Sequence, residues 1–122
     1  MSAGRRQSLG RLGETLAGVY LKNKGYDILE RNWRTPYGEI DLVGKVGDTV
    51  VFVEVKTRAS SALGPPEISI TTRKAEHMRN AAEYYIQQHP ELESDWRIDL
   101  ITIIIKSKDS PAIVDHFENV LS

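Results

Sequence analysis

The stretch Gly38 to Arg58, GEIDLVGKVGDTVVFVEVKTR, constrains the chain more than any other. Its first arm, Glu39-Ile40-Asp41-Leu42-Val43, alternates with a period of two, and its second, Val50 to Thr57, has the Val and Phe content of a strand. Gly44-Lys45-Val46-Gly47-Asp48 between them reads as a turn by its glycines. In the second arm Val51, Val53 and Val55 share one face, which sets Glu54 and Lys56 on the other face with Val50 and Phe52. Two apolar positions therefore run directly into two opposite charges.

If the arms pair antiparallel about Val46-Gly47-Asp48, the numbers of facing residues total roughly 93 or 95, and any odd total puts Asp41 on the face of Glu54. The bases of the two side chains then lie within roughly 4.5 to 8 Å of each other. Two carboxylates 4 Å apart repel by about 4 kcal/mol at an effective dielectric near 20, so a fold that gathers them needs a proton, a cation or water to offset the repulsion. Lys56 supplies one positive charge. Hard oxygen ligands in an incomplete protein shell suit magnesium or manganese for the remainder. The plain alternative is a sheet edge with one wet face, since charged residues two apart occur on any solvated strand.

A chain of 122 residues is one domain's length, 1–122, and long enough to bury a core. It has no cysteine, which excludes a disulfide scaffold, a thiolate zinc site and a cysteine nucleophile. No apolar run approaches the roughly 20 residues of a membrane span. The opening MSAGRRQSLG is basic without an apolar segment behind it, so it does not read as a secretory signal, and a cytoplasmic protein is the default expectation. A net charge of −1 speaks against a generally sticky nucleic-acid binder. The charge is unevenly spread: residues 1–60 hold ten Lys or Arg against seven Asp or Glu, and residues 61–122 hold six against ten. Arg5, Arg6, Arg11, Lys22, Lys24, Arg31 and Arg34 in the basic half are available for phosphate contacts around an acidic centre.

Ser8 to Lys24 predicts a first helix, with Ser8 as N-cap, Gly25 as stop and Leu9, Leu12, Leu16 and Val19 or Tyr20 as its apolar stripe. Glu14 on that helix is flanked by Gly10, Gly13, Ala17 and Gly18, so little bulk screens its carboxylate and another element can approach closely. Each glycine costs the helix about 1 kcal/mol relative to alanine, which a purely structural helix has no reason to accept. Tyr26 to Arg34 predicts a strand ending in the turn Thr35-Pro36-Tyr37-Gly38. Trp33 and Tyr37 are candidates for stacking on bases of a single strand or frayed end, with the core the preferred reading for Trp33. Ala59 to Pro66 reads as a small-residue loop fit for a flap or a connection. Thr71 to Gln88 is a second amphipathic helix with Ala75, Met78, Ala82, Tyr85 and Ile86 on its buried stripe and Lys74 in its first turn, where unpaired N–H groups help hold a phosphate. Trp96 to Lys106 is the most hydrophobic strand; Asp99 inside it needs partners, with Arg97, Lys56 or a backbone donor as candidates. Ala112 to Val120 gives a last strand or short segment with Phe117 inward.

Asp41 followed by Glu54-Val55-Lys56 resembles the PD-(D/E)XK nuclease signature, although Ile40 stands where the superfamily's namesake proline would be. The fuller pattern of Gly13-Glu14, Arg31-Asn32, Gly38-Glu39-Ile40-Asp41, Phe52 to Arg58, Lys74 and Arg97-Ile98-Asp99 resembles the bacterial YraN-like family, which is similar to archaeal Holliday-junction resolvases. The resemblance covers nearly the whole chain. It implies an α/β, restriction-endonuclease-like αβββαβ core: a mixed sheet flanked by helices, with the third and fourth strands joined by a crossover. It also implies a magnesium- or manganese-dependent endonuclease acting on branched, flapped or junction DNA. In that reading Asp41, Glu54 and the Val55 carbonyl hold the metal, Glu14 holds a second metal or an outer water, and Lys56 orients or deprotonates the attacking water. Arg11, Arg34, Arg58 and Lys74 contact nucleic acid, while Glu39 and Asp99 support the site. A homodimer is one arrangement left open.

Other chemistries find little support. His77, His89 and His116 are scattered and read as surface or helix-end residues; there is no phosphate-binding GxxxxGK[ST]; and Ser60 and Ser61 lie in no nucleophile elbow. The competing function class is a non-catalytic module that keeps the fold and binds nucleic acid or protein through it, which the weak net charge favours and the gathered carboxylates oppose.

Overall fold

In a computed structural model, which describes residues 3–59, 70–92, 95–107 and 109–121, the chain forms α1 (Ala3–Asn23), β1 (Asp27–Thr35), β2 (Gly38–Val46), β3 (Thr49–Arg58), α2 (Thr72–Gln88), a 3-10 turn (Pro90–Leu92), β4 (Asp95–Ile104) and β5 (Ile113–Phe117). The strands lie side by side in chain order in one mixed sheet. All neighbours are antiparallel except β3 and β4, which run parallel through a connection that contains α2, as parallel neighbours require. The α/β architecture and αβββαβ order expected from the sequence are therefore present, with β5 added at one edge. Most of the proposed flap, residues 60–66, lies outside the described residues.

Each face of the sheet carries one helix and one apolar core. Val51 and Val53 of β3 and Ile101 and Ile103 of β4 pack with Ala17 and Leu21 on the α1 side. Val50, Phe52 and Ile98 pack with Met78, Ala82 and Tyr85 on the α2 side. The alternation read along Val50 to Thr57 is thus the alternation that separates the two cores. α2 begins at its N-cap Thr71, whose hydroxyl accepts the Lys74 N–H at 3.2 Å. The turn between β2 and β3 is tighter than the glycines imply: β2 continues through Gly44 to Val46, and the reversal is made at Gly47, with φ +56°, and Asp48. Gly44 is buried in the strand, where a Cβ would sit 3.4 Å from the Asp27 carbonyl and 3.5 Å from the Tyr26 ring.

The first helix departs in part from its expected face. It starts at Ala3, so Ser8 is not its cap. Ala17 and Leu21 are its fully buried residues, and Leu16 and Tyr20 of the expected stripe pack against the same core, while Leu12 and the alternative Val19 are 46% and 50% exposed. The reason is Gly13. A Cβ there would run into the Thr57 side chain of β3, so the helix settles onto the strand at Gly13 and Leu12 beside it is left facing solvent.

β4 is buried on both faces, and Asp99 within it is fully buried. Arg97 Nε and Nη2 donate to it at 3.0 and 3.3 Å, His116 Nε2 bonds it at 2.7 Å, and the Asn119 N–H donates at 2.9 Å. Arg97 also reaches the Tyr26 hydroxyl at 2.8 Å and Glu118 at 2.9 Å. Two of the expected partners, Arg97 and a backbone donor, are present. His116 corrects the surface reading given to it, since its side chain is only 3% exposed and closes this cluster from β5. His77 is exposed, and His89 caps the C-terminus of α2 as expected.

Two stability predictions follow from this packing. Gly10→Ala, with nothing within 4 Å of the new methyl, raises stability by up to about 1 kcal/mol, whereas Gly13→Ala lowers it by about 1–3 kcal/mol as α1 is forced off β3; urea unfolding of both variants reads the opposite signs. Asp99→Ala leaves Arg97 and His116 facing a buried void and costs about 3–5 kcal/mol in the same measurement.

Candidate functional site

β1 and β2 both change faces at one place. In an unbroken strand residues two apart share a side. Here Leu42 packs in the α1-side core while Ile40 packs on the α2 side. On β1, Arg31 lies against Gly18 of α1 while Trp33 packs on the α2 side. Asn32, between them, has φ +50°, a left-handed conformation that asparagine tolerates better than most residues. Asp41 sits at the corresponding point of β2.

The β2–β3 ladder runs from Val46 paired with Thr49 to Leu42 paired with Val53, partners whose numbers total 95, within the expected register. Beyond it the Val55 N–H is taken by the Asp41 carboxylate, with Oδ2 accepting at 2.8 Å. The N–H and C=O of one strand residue point the same way, so the Val55 carbonyl faces the same gap. Glu54 follows the alternation onto the α2 side, where its Oε2 lies 3.3 Å from Lys74 Nζ in the first turn of α2. Lys56, two residues on, follows Glu54 onto that face. Glu14 reaches in from α1 on the other side. With its amide oriented to present nitrogen to both carboxylates, Asn32 donates to Glu14 Oε2 at 2.6 Å and to Glu39 Oε1 at 3.1 Å.

The electrostatics follow from this crowding. Burial, reinforced by the Glu54 and Glu14 charges, pushes the Asp41 carboxyl up to about 7 despite the Val55 hydrogen bond and the Lys74 charge, both of which pull it down. Burial also raises Glu14, with Glu39 and Glu54 adding to the shift and Asn32 and Arg11 opposing it. The acidic groups thus influence one another and are under-neutralised by the cations beside them. Among the described residues no three His, Cys, Asp or Glu side chains stand at metal-ligand spacing. In chemistry, the set of Asp41, Glu54, Glu14 and the Val55 carbonyl is all oxygen and suits a hard divalent cation. In the arrangement seen, Lys74 holds Glu54.

Of the residues expected to touch nucleic acid, Arg11 and Arg34 line an open groove of about 510 Å³ with Gly10, Glu14, Asn32 and Glu39. The Arg34 side chain is 88% exposed and lies 3.7 Å from Glu39. Lys74 is beside Glu54, and Arg58 ends β3, its carbonyl accepting the Ile105 N–H at 2.8 Å. Asp99, expected to support the site, is bonded instead within the Arg97–His116–Asn119 cluster. Glu39 joins the site through Asn32, a residue the sequence reading gave no role. The signal that could have exposed it is a polar, turn-forming residue standing inside a strand pattern.

A family model described as "Uncharacterised protein family UPF0102" matches residues 13–103. UPF0102 proteins of Syntrophomonas wolfei and Beutenbergia cavernae are 42% and 38% identical over 113 and 115 residues, covering 93% and 94% of this chain and 96% and 97% of theirs. The Geobacter metallireducens relative is 43% identical over 113 residues, covering 93% of this chain and 91% of its own. Among solved structures, Pyrococcus furiosus SfsA in complex with Ca2+ is similar at 15% identity and a TM-score of 0.45, over 93% of this chain and 63% of that one. This chain thus spans a little under two thirds of that protein's length. No helix of the described residues is long and apolar enough to cross a membrane. The chain belongs to UPF0102, the YraN-like family, within the restriction-endonuclease-like superfamily.

Proposed function

We propose that the protein is a divalent-cation-dependent endonuclease that hydrolyses phosphodiester bonds in branched, flapped or junction DNA. The observation that carries this reading is the state of Asp41: a carboxylate fixed by the central strand's own backbone and raised to about 7 by burial and by two further carboxylates. A binding module has no physical need to keep such a group. Strongly perturbed carboxyls beside a groove mark functional sites more often than structural ones.

In this reading Asp41, Glu54 and the Val55 carbonyl would hold a magnesium or manganese ion, with Glu14 on the opposite side. When bound, the ion supplies charge neutralisation and polarises a phosphoryl oxygen. The chain's own groups do the rest. The Val55 N–H fixes the Asp41 carboxylate in one orientation, so that little reorganisation accompanies binding. Lys56, on the face of Glu54, orients or deprotonates the attacking water and stabilises negative charge at phosphorus. Lys74, now 3.3 Å from Glu54, stands in the first turn of α2, where it would be available to a phosphate oxygen beside the helix's first N–H groups. Asn32 keeps Glu14 and Glu39 from turning away from the groove, and Arg11 and Arg34 meet the phosphates that enter it.

Two measurements test this reading. Asp41 has a folded pKa above its unfolded value of 3.8, so the folded protein holds that proton more tightly. The associated stability is fully present below about pH 4 and is lost as pH rises through about 7. Asp41→Asn, which keeps an acceptor for the Val55 N–H, therefore stabilises the metal-free protein at about pH 8 by up to a few kcal/mol, and the gain fades toward pH 4. Thermal unfolding in chelator across that range reads it, and a variant less stable than wild type at the alkaline end would contradict the assignment. In the second measurement the purified protein, given labelled duplex, flap and four-way-junction DNA with manganese, cuts a structured substrate. Chelator abolishes the cutting, and Asp41→Asn lowers it at least about 100-fold. Absence of cutting on every substrate, with DNA binding retained, would leave the non-catalytic module.

A further inference from the structure

The tip of the β1–β2 hairpin is a two-residue turn, Pro36-Tyr37, between Thr35 and Gly38. The Thr35 hydroxyl accepts the Tyr37 N–H at 2.9 Å and donates to the Gly38 carbonyl at 2.8 Å, which makes the tip rigid. Tyr37 is 45% exposed. Its ring meets that of Tyr84 edge-on at 6.2 Å, and Tyr84 in turn tilts against Trp33 at 5.9 Å. Trp33 is anchored edge-on to the buried Tyr85 at 4.7 Å. Between the two tyrosines lies a small open hollow of about 80 Å³, also lined by Asn80, Glu83 and Gln87. Asn80, Glu83, Tyr84 and Gln87 fall at i, i+3, i+4 and i+7, a single stripe of α2 alongside the stripe that faces the core.

This composition is unusual for a turn that merely docks on a helix. Packing alone would be served by aliphatic side chains. Here two aromatic faces are combined with two carboxamides and a carboxylate, groups that read the edge of a base through paired donors and acceptors. The geometry points to a binding site for one unpaired nucleobase, whose face stacks on the exposed ring of Tyr37 and meets the steeply inclined Tyr84 ring edge-on, while its own edge meets Asn80, Gln87 and Glu83. A base inside a duplex has both faces covered by its neighbours, so the hollow selects a single strand, a frayed end or a splayed base. The position relative to the acidic site supports this occupant. Arg34 and Glu39 flank the tip and line the groove on its other side, and Tyr37, in the turn that leads into β2, lies four residues before Asp41. At about 3.4 Å per residue that is at most roughly 14 Å, within reach of a few nucleotides of one strand. In connection with cleavage the site rests on the nuclease reading; as a base-binding site it does not.

The test uses the full chain carrying Asp41→Asn, in chelator, so that nothing is cut. Its affinity for a fluorescent single-stranded oligodeoxynucleotide is compared with that for the same strand made abasic along its length, and for a blunt duplex of equal length. The intact single strand binds more tightly than either. Adding Tyr37→Ala weakens single-strand binding by roughly 5- to 150-fold, the equivalent of one lost stacking contact of about 1–3 kcal/mol, while Tyr37→Phe keeps it. Asn80→Ala and Gln87→Ala change the order of preference among homopolymers of the four bases. Equal affinity for intact and abasic strands, unchanged binding by a folded Tyr37→Ala variant, or no single-strand binding at all would overturn the assignment. The two readings fail separately. Wild-type cutting with an indifferent Tyr37 leaves the nuclease without a base site, and base-dependent binding without wild-type cutting leaves a base site on a non-catalytic fold.

Discussion

One hydrogen bond organises the functional end of the sheet: the Val55 N–H, in the central region of β3, donates to the side chain of Asp41 where a backbone ladder would continue with a carbonyl of β2. The exchange keeps a buried donor satisfied, which a sheet interior demands. It also pins a carboxylate between two strands, with one helix on each side of it. From there the environment of the site is largely determined. Glu54 must lie on the α2 face because it follows Val53, and Glu14 arrives on the α1 face because Gly13 lets that helix settle onto Thr57. The repulsion among these groups, about 4 kcal/mol for a pair at 4 Å and moderate dielectric, is tolerable only because the sheet beneath them is buried on both faces. A fully buried Val, Leu, Ile or Phe contributes about 1.5–3 kcal/mol, so a few of the core residues offset it.

The two aspartates within the sheet show what distinguishes a structural acid from a functional one. Burial raises the pKa of both. For Asp99, the hydrogen bonds of His116 and Arg97 and the Asn119 N–H more than offset burial, and its carboxyl is held below the usual range. For Asp41, a single backbone N–H and a half-exposed lysine face the charges of Glu54 and Glu14, and its carboxyl rises. Fully partnered, an acid stabilises the fold that ionises it. Partly partnered, it stores repulsion that a proton or a cation relieves. The Asp99 cluster joins β4, β5 and the start of β1, at a distance in sequence from the hairpin, and so fixes the far side of the sheet without drawing on the groups of the acidic site.

What the sequence made legible was whatever rests on strict alternation. The facing of Val51, Val53 and Val55 against Val50, Phe52 and Glu54, and the odd register of the hairpin, required only period two and a turn. The first helix was read only in part: Leu16 and Tyr20 face inward as periodicity predicts, but the close contact is made at Gly13 and Ala17 and the leucine at 12 is left to solvent. Gly44 read as a turn because a glycine lying inside a strand, as here beside Tyr26 and Asp27, looks the same in sequence as one that a turn needs for its positive φ. His116 could not be placed because its partner lies across the sheet on another strand, and pairing of that kind leaves no local pattern. Asn32 stood in the motif pattern, but its role went unread for the same reason: its two donors reach a helix on one side and a neighbouring strand on the other.

Asn32 nevertheless ties the geometry together. If β1 and β2 had kept one facing along their whole length, Trp33 and Ile40 would sit with Arg31 and Leu42 against α1, and Arg34 and Glu39 would turn toward α2. The groove beside Glu14 would then be filled by a tryptophan, and the aromatic stack on α2 would lose its inner member. The left-handed residue at 32, matched by the side-chain bond at 41, reverses the facing of both strands at once. It sends the charged pair of the hairpin tip to the α1 groove and the aromatic residues to α2. The same amide that tolerates this conformation then uses its two hydrogens to hold Glu14 and Glu39 together. Backbone conformation and carboxylate placement are therefore not separate features of the site; one side chain, of the small set that accepts a positive φ and can also donate twice, carries both.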